Sequence, residues 1–194
     1  MSGQSRLVLG SSSPRRLELL RQIGFEPDVV IGPDIDEAII PREMPSAYCM
    51  RIALEKNIAL HDRFPNDFIV TADTTVAVGR RILAKAEDAA DATRMIGLLS
   101  GRAHRVYTAV VVRAPDGTMS KRLSESRVKV KPLSKQEIAD YIAANDWDGF
   151  AGAYRIQGLF AKFIMQINGS PSGIIGLPVF ETVQMLNGLG KGAA

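Results

Sequence analysis

The sequence predicts an α/β fold: a mixed, twisted sheet flanked by helices, arranged as two lobes around a central cleft. Three observations carry this expectation. From residue 6 to residue 99, short apolar runs of strand length alternate with segments of helical composition. Two alternating runs on either side of Pro115-Asp116-Gly117 read as an antiparallel hairpin, so the sheet is mixed. With 194 residues, 46% of them apolar and 23% charged, the chain is long enough for one domain with a substantial core. Residues 1–194 are read as a single domain, with 189–194 as a frayed tail.

Taken in order, residues 6–10 (RLVLG) form a buried strand, and residues 14–24 a helix that stops at Gly24. Residues 28–32 form a second short strand. An acidic loop between prolines follows, carrying Asp34, Asp36 and Glu37. Residues 46–63 are helical in composition. Residues 67–79 are strand-like, with a polar interruption, Ala72-Asp73-Thr74-Thr75, in the middle. A short strand at 81–83 leads into a helix from about Asp88 to Leu99. After the hairpin, Ser134 with Glu137 three residues later is a capping box, opening a helix to about Ala144. Residues 150–177 are glycine-rich with short apolar runs, and 179–188 form the last helix.

Composition excludes several classes. One cysteine, Cys49, rules out an intrachain disulfide and a cysteine cage for a metal. With only His61 and His104 beside it, zinc is not expected, and any metal would be a hard cation held by carboxylates. No apolar run approaches the length of a membrane span, and the N-terminus lacks the pattern of a signal peptide. A cytoplasmic protein without a membrane partner is expected. The net charge is +3, with no long basic run and 6% aromatics. Nucleic acid is therefore not the expected partner, whereas a small anion fits.

The segment after the first strand is Ser11-Ser12-Ser13-Pro14-Arg15-Arg16. Ser13 suits an N-cap and Pro14 the first helical position. The arginines do not suit a helix start, because they sit at the positive end of the helix dipole. At about 100° per residue, Arg16 falls on the side of Leu19, Leu20 and Ile23. Two cations there call for an anion between them, and amide N–H groups, hydroxyls and guanidiniums together suit phosphate. No Walker or dinucleotide-binding pattern is present.

Other residues are ambiguous alone. Asp73 reads as a strand irregularity or as a metal ligand or general base at a cleft mouth. The acidic loop is a solvated loop unless it shares that cleft. Lys85 reads as a solvated lysine. On the 46–62 helix the apolar face is Ala47, Met50, Ala53, Leu54 and Ile58, and Lys56 lies about 150° from its centre, which makes it a surface residue. Gln157, set among small residues in Gly152-Ala153-Tyr154-Arg155-Ile156-Gln157-Gly158, offers an amide to a base edge but equally fits a tight loop.

Together these motifs resemble the Maf family of nucleoside triphosphate pyrophosphatases. The resemblance runs from Leu7 to about Leu186. It rests on Ser11 to Arg16, Asp36-Glu37, Ala53 to Lys56, Ala72-Asp73-Thr74, Ile82 to Lys85, Leu98 to Gly101, Ala151 to Tyr154, Ile156 to Gly158 and Gly176-Leu177-Pro178 in that order. It implies a cleft fold similar to that of the inosine triphosphate pyrophosphatases, a homodimer, and Mg²⁺- or Mn²⁺-dependent hydrolysis of a nucleoside triphosphate to monophosphate and pyrophosphate. Asp73, Lys85 and Glu37 are implied as catalytic, with Glu37 and Asp73 on the metal. Ser11, Ser13, Arg15, Arg16, Lys56, Thr74 and Gln157 are implied as substrate-binding. Arg15, Thr74 and Gln157 resemble the branch acting on dTTP and UTP. Ala84, Ala86, Phe150 and Arg155 depart from the family pattern. Two other readings stand beside this one: a nucleotide- or nucleic-acid-binding regulator of division without turnover, and a purine-directed pyrophosphatase acting on dITP or XTP.

Overall fold

The computed structural model describes residues 5–193. Its strands are β1 (Leu7–Gly10), β2 (Val29–Val30), β3 (Phe68–Val78), β4 (Arg81–Leu83), β5 (Ala103–Arg113), β6 (Met119–Val130) and β7 (Ile164–Asn168). The helices are α1 (Pro14–Gln22), α2 (Pro45–His61), α3 (Ala89–Leu99), α4 (Lys135–Ala143), α5 (Pro171–Ile175) and α6 (Val179–Gly188), with a 3₁₀ turn at Leu159–Phe163. The expected mixed α/β architecture is what forms. The strands make one sheet in the order β2-β1-β3-β5-β6-β7, with β4 also on β3. β1 is parallel to β2 and β3, while the remaining pairs are antiparallel.

Local rules account for most boundaries. Gly24 takes φ +81° just past α1, a left-handed stop that glycine adopts without steric cost. The capping box of α4 is complete, with Ser134 Oγ accepting from Glu137 N and the Glu137 carboxylate accepting from Ser134 N. The acidic loop carries no regular structure. After α6, Leu189 packs against the core and Lys191 Nζ donates to the Ser5 carbonyl at 3.0 Å.

The sheet positions the site in two ways. β1 pairs with β3 at Phe68 to Thr71 and β4 pairs with it at Val76 to Val78, both on the same edge. Residues 72–75 lie between these partners, so the edge of β3 is open there. The polar interruption is thus not a break in the strand but the point where its neighbour changes. The second feature concerns one face of the sheet. Val70, Ala72, Val110 and Val112 belong to one apolar core under α1 and α6. Val76, Val106 and Val128 belong to another, with Leu83, the α3 leucines and the aromatic cluster around Phe160. Between them on that face lie Thr74 and Thr108, paired across the strands. The two lobes are two cores on one sheet, separated by this polar row.

Candidate active site

The break between the cores opens into a cleft of about 610 Å³, within the range of small-molecule sites. Ser11, Ser13, Arg15, Arg16, Glu37, Lys56, Asp73, Thr74, Lys85 and Gln157 all line it. Residues spread from the first strand to the glycine-rich loop are brought to one place. Asp34 and Asp36 do not line the cleft. Instead, Asp36 Oδ1 accepts from Ala38 N at 2.9 Å and shapes the loop that presents Glu37.

The centre of the site is a carboxylate–ammonium–carboxylate arrangement. Lys56 Nζ lies 2.7 Å from Glu37 Oε1 and 3.0 Å from Asp73 Oδ1. This overturns the expectation that Lys56 is a surface residue. The buried face of α2 is Cys49, Ile52, Ala53, Lys56, Asn57 and Leu60, while Ala47 and Ile58 face solvent. Lys56 can sit on that face because two carboxylates neutralise it. Asp73 is further held by Thr75, whose Oγ1 donates to Oδ2 at 3.3 Å.

The serines and arginines are arranged differently from a simple capped helix. Ser13 occupies the N-cap position of α1, but its side chain makes no capping bond. Its N–H is bound by Ser11 Oγ at 3.1 Å. The two guanidiniums point in different directions. Arg16 turns inward, and its Nε, Nη1 and Nη2 donate to Gly176 O, Ser11 Oγ and Thr74 Oγ1 at 2.8, 3.2 and 3.2 Å. Burial pushes its pKa down, and Asp73 opposes that shift. Arg15 reaches the other way and rests on the Phe150 ring, 4.3 Å from its centre.

The structure adds residues that local sequence pattern does not reveal. Thr108 Oγ1 lies 2.7 Å from Gly173 O and 3.1 Å from Thr74 Oγ1, so it ties Thr74 to α5. No local pattern signals this, since the threonines are 34 residues apart. Tyr48 also lines the cleft, and its hydroxyl donates to Glu37 O at 3.0 Å. Burial, and then Asp73, push that phenol up to about 12, so it stays protonated. Burial likewise pushes the Cys49 thiol up to about 12, which leaves it a thiol rather than a nucleophile.

Lys85 and Gln157 sit on exposed backbone that is nonetheless anchored. Lys85 bridges to Ala151, and Gly152 N donates to the carbonyls of Leu83 and Ala84 at 3.0 Å each. Gly152 needs to be glycine, since at φ +69° a Cβ would come within 2.7 Å of Val76 Cγ1. Further along the loop, Tyr154 Oη lies 2.7 Å from His104 Nε2. Among the described residues His104 Nδ1 is buried without a hydrogen-bond partner, and burial pushes the imidazole down to about 4. In the unfolded chain the ordinary value is about 6.5. As pH falls from 6.5 to 4, the unfolded state takes up a proton that the native state resists, so the native state loses stability over that window. His104→Gln should be less stable than the wild type at pH 7, and the gap in melting temperature should narrow as pH falls to 4.5. A constant gap in a pH series of thermal melts would contradict this assignment.

Residues 6–189 match the family described as Maf-like protein. A dTTP/UTP pyrophosphatase of Caulobacter vibrioides is 48% identical over 190 residues, covering 98% of each chain. One of Maricaulis maris is 49% identical over 185 residues, covering 95% of this chain and 88% of that one. Among solved structures, the Staphylococcus aureus Ham1 protein aligns with a TM-score of 0.43 at 16% identity, over 64% of this chain and 71% of that chain. A nucleoside-triphosphatase / dITP/XTP pyrophosphatase from Mycobacterium abscessus aligns with a TM-score of 0.41 at 16% identity, over 66% and 74%. Matched along nearly its whole length, the chain belongs to the Maf family.

Proposed function

We propose that this protein is a nucleoside triphosphate pyrophosphatase that hydrolyses dTTP and UTP to the monophosphate and pyrophosphate. The observation that carries the reading is the cleft itself: Arg15, Arg16 and Lys85 line it together with two carboxylates joined through Lys56. The relatives named for dTTP and UTP supply the substrate class. Arg15, Thr74 and Gln157 all lie in the cleft. In this reading Thr74 and Gln157 face the base or sugar. A neutral amide such as Gln157 can pair with the donor–acceptor edge of uracil or thymine.

The donor set fits a hard divalent cation. Glu37 and Asp73 already share one compact cation, the Lys56 ammonium, and both present oxygen. Among the described residues no group of three or more His, Cys, Asp or Glu could hold a metal, so phosphate oxygens would complete the shell. When bound there, Mg²⁺ or Mn²⁺ would neutralise phosphate charge and polarise the reacting phosphorus.

The chain's own residues do the rest. The triphosphate lies over the start of α1, with Ser11 and Ser13 beside it and Arg15 and Arg16 toward its oxygens. Asp73 takes a proton from the water that attacks the α-phosphorus. Lys56 and Lys85 offset charge on the equatorial and leaving oxygens as pyrophosphate departs. A homodimer in the cytoplasm completes the proposal. The dimer is what the resemblance to the family implies, and one buried, unpaired cysteine suits a reducing compartment.

The test is a panel of each NTP and dNTP with Mg²⁺ or Mn²⁺, read for pyrophosphate. Release from dTTP and UTP is the expected result. Release from dITP or XTP alone would replace the reading with a purine-directed one. Orthophosphate would place attack at the γ-phosphorus, and no release from any nucleotide would favour a binding protein.

A further inference from the structure

Of the arginines in the cleft, Arg15 is held least, and like Lys85 it has no ion pair among the described residues. Arg16 has three oxygen acceptors. Lys56 has two carboxylates. Arg155, at the cleft mouth, is paired with Asp146, its Nε donating to Oδ1 at 2.8 Å. Among the described residues, Arg15 has neither an ion pair nor a side-chain hydrogen bond, and its contact is with the Phe150 ring. Burial and then the charges of Arg16 and Arg155 push its pKa down, so its surroundings are electropositive.

The backbone that carries this ring is anchored. Phe150 directly precedes Ala151, which bridges to Lys85, and its carbonyl accepts from Ala153 N at 3.0 Å. Its ring also carries Arg155 at 5.6 Å, and Arg155 is itself tied to Asp146. Arg15 projects from α1, which packs on one core, while Phe150 belongs to the loop packed on the other. The contact therefore spans the cleft. Without it, repulsion from Arg16 and Arg155 would drive Arg15 into solvent, at a cost in side-chain ordering each time a substrate drew it back.

We propose that Phe150 is a positioning residue that holds the Arg15 guanidinium across the cleft, ready for the polyphosphate of the substrate. The inference rests on the reading of the cleft as a nucleoside triphosphate site. It assigns Phe150 to the phosphate end of recognition, not to the base.

Inorganic tripolyphosphate, which has no base, separates these roles. Calorimetric binding of tripolyphosphate and steady-state hydrolysis of dTTP would be compared in wild type, Phe150→Leu, Phe150→Tyr, Arg15→Ala and the Arg15→Ala/Phe150→Leu double variant. Phe150→Leu should raise both the Kd for tripolyphosphate and the KM for dTTP by about 3- to 30-fold, the span of a cation–π contact. kcat should change by less than about 2-fold, because the contact acts equally in ground and transition states. Phe150→Tyr should restore both constants. In the Arg15→Ala background, Phe150→Leu should add nothing.

Unchanged tripolyphosphate affinity with a raised KM for dTTP would assign Phe150 to the base and overturn the proposal. Additive effects in the double variant would overturn it too, since Phe150 would then not act through Arg15. Should Phe150→Leu melt several degrees lower than wild type, the tyrosine variant and the double-variant comparison still decide. Wild type that binds tripolyphosphate but releases no pyrophosphate from any nucleotide would sink the enzymatic reading and leave the Phe150 comparison standing.

Discussion

Asp73→Asn should lower pyrophosphate release from dTTP by about 10²- to 10⁴-fold, the contribution of a positioned general base. Lys56 and Thr75 now bond the two carboxylate oxygens at 3.0 and 3.3 Å. The amide keeps the shape of the side chain, its one oxygen can still accept from Lys56, and its NH₂ can donate to the Thr75 hydroxyl, which turns to accept. What it loses is basicity and charge. It cannot take a proton from water, and it no longer contributes a negative charge to the cation site beside Glu37. The fold should persist, because β3 is held through Phe68 to Val78 by backbone pairing on both sides of the substitution. A coupled phosphatase assay for turnover and a thermal melt for folding decide the matter. Near-normal turnover in a folded variant would remove Asp73 from the chemistry.

Lys56→Met should weaken both activity and stability. The ammonium is 11% exposed and stands between an Asp73 carboxylate at 10% and a Glu37 carboxylate at 51%. Methionine fills the same volume but leaves Asp73 with the Thr75 hydroxyl and no cation. Losing one partner of a buried pair is costly, whereas the exposed pair with Glu37 adds little. Because Asp73 opens onto the cleft, the expected loss is about 2 kcal/mol, at the lower end for an unpaired buried charge. In a domain of this size that lowers the melting temperature by roughly 4–8 °C. Turnover should fall by about 10²- to 10³-fold, as for removal of one group that stabilises developing charge. Added Mg²⁺ or Mn²⁺ should raise the melting temperature of the variant more than that of wild type, since the two carboxylates then lack their internal cation. Equal metal effects on both proteins would argue against metal binding at Glu37 and Asp73.

How much of this was legible in the sequence depends on the kind of interaction. Strand and helix positions followed from local pattern: the Ser134 capping box, the Gly24 stop and the Pro115-Asp116-Gly117 turn all form where local chemistry places them. The ten site candidates were legible because their motifs occur in a family order, and the cleft gathers them. Helix periodicity alone misplaced Lys56. α2 carries apolar residues on its solvent side and polar ones on its buried side, where Asn57 Nδ2 donates to Ile69 O and Asn57 Oδ1 accepts from Arg113 Nε. Such partners are 12 and 56 residues away, beyond any local window. The same limit hid Thr108, which reaches Thr74 only through the register of β3 against β5.

By itself, the sequence determined the α/β class, most elements and the chemical types available for catalysis: two carboxylates, four basic residues, three hydroxyls and an amide. Only the tertiary structure decided which of those groups are already engaged and which are free to act. It turned Arg16 inward onto three oxygens, set Lys56 between Glu37 and Asp73, and left Arg15 held by an aromatic ring. The physical reason is range. Backbone propensity and apolar patterning act over a few residues, whereas the partners that satisfy a buried charge are chosen by strand register and packing across the whole chain.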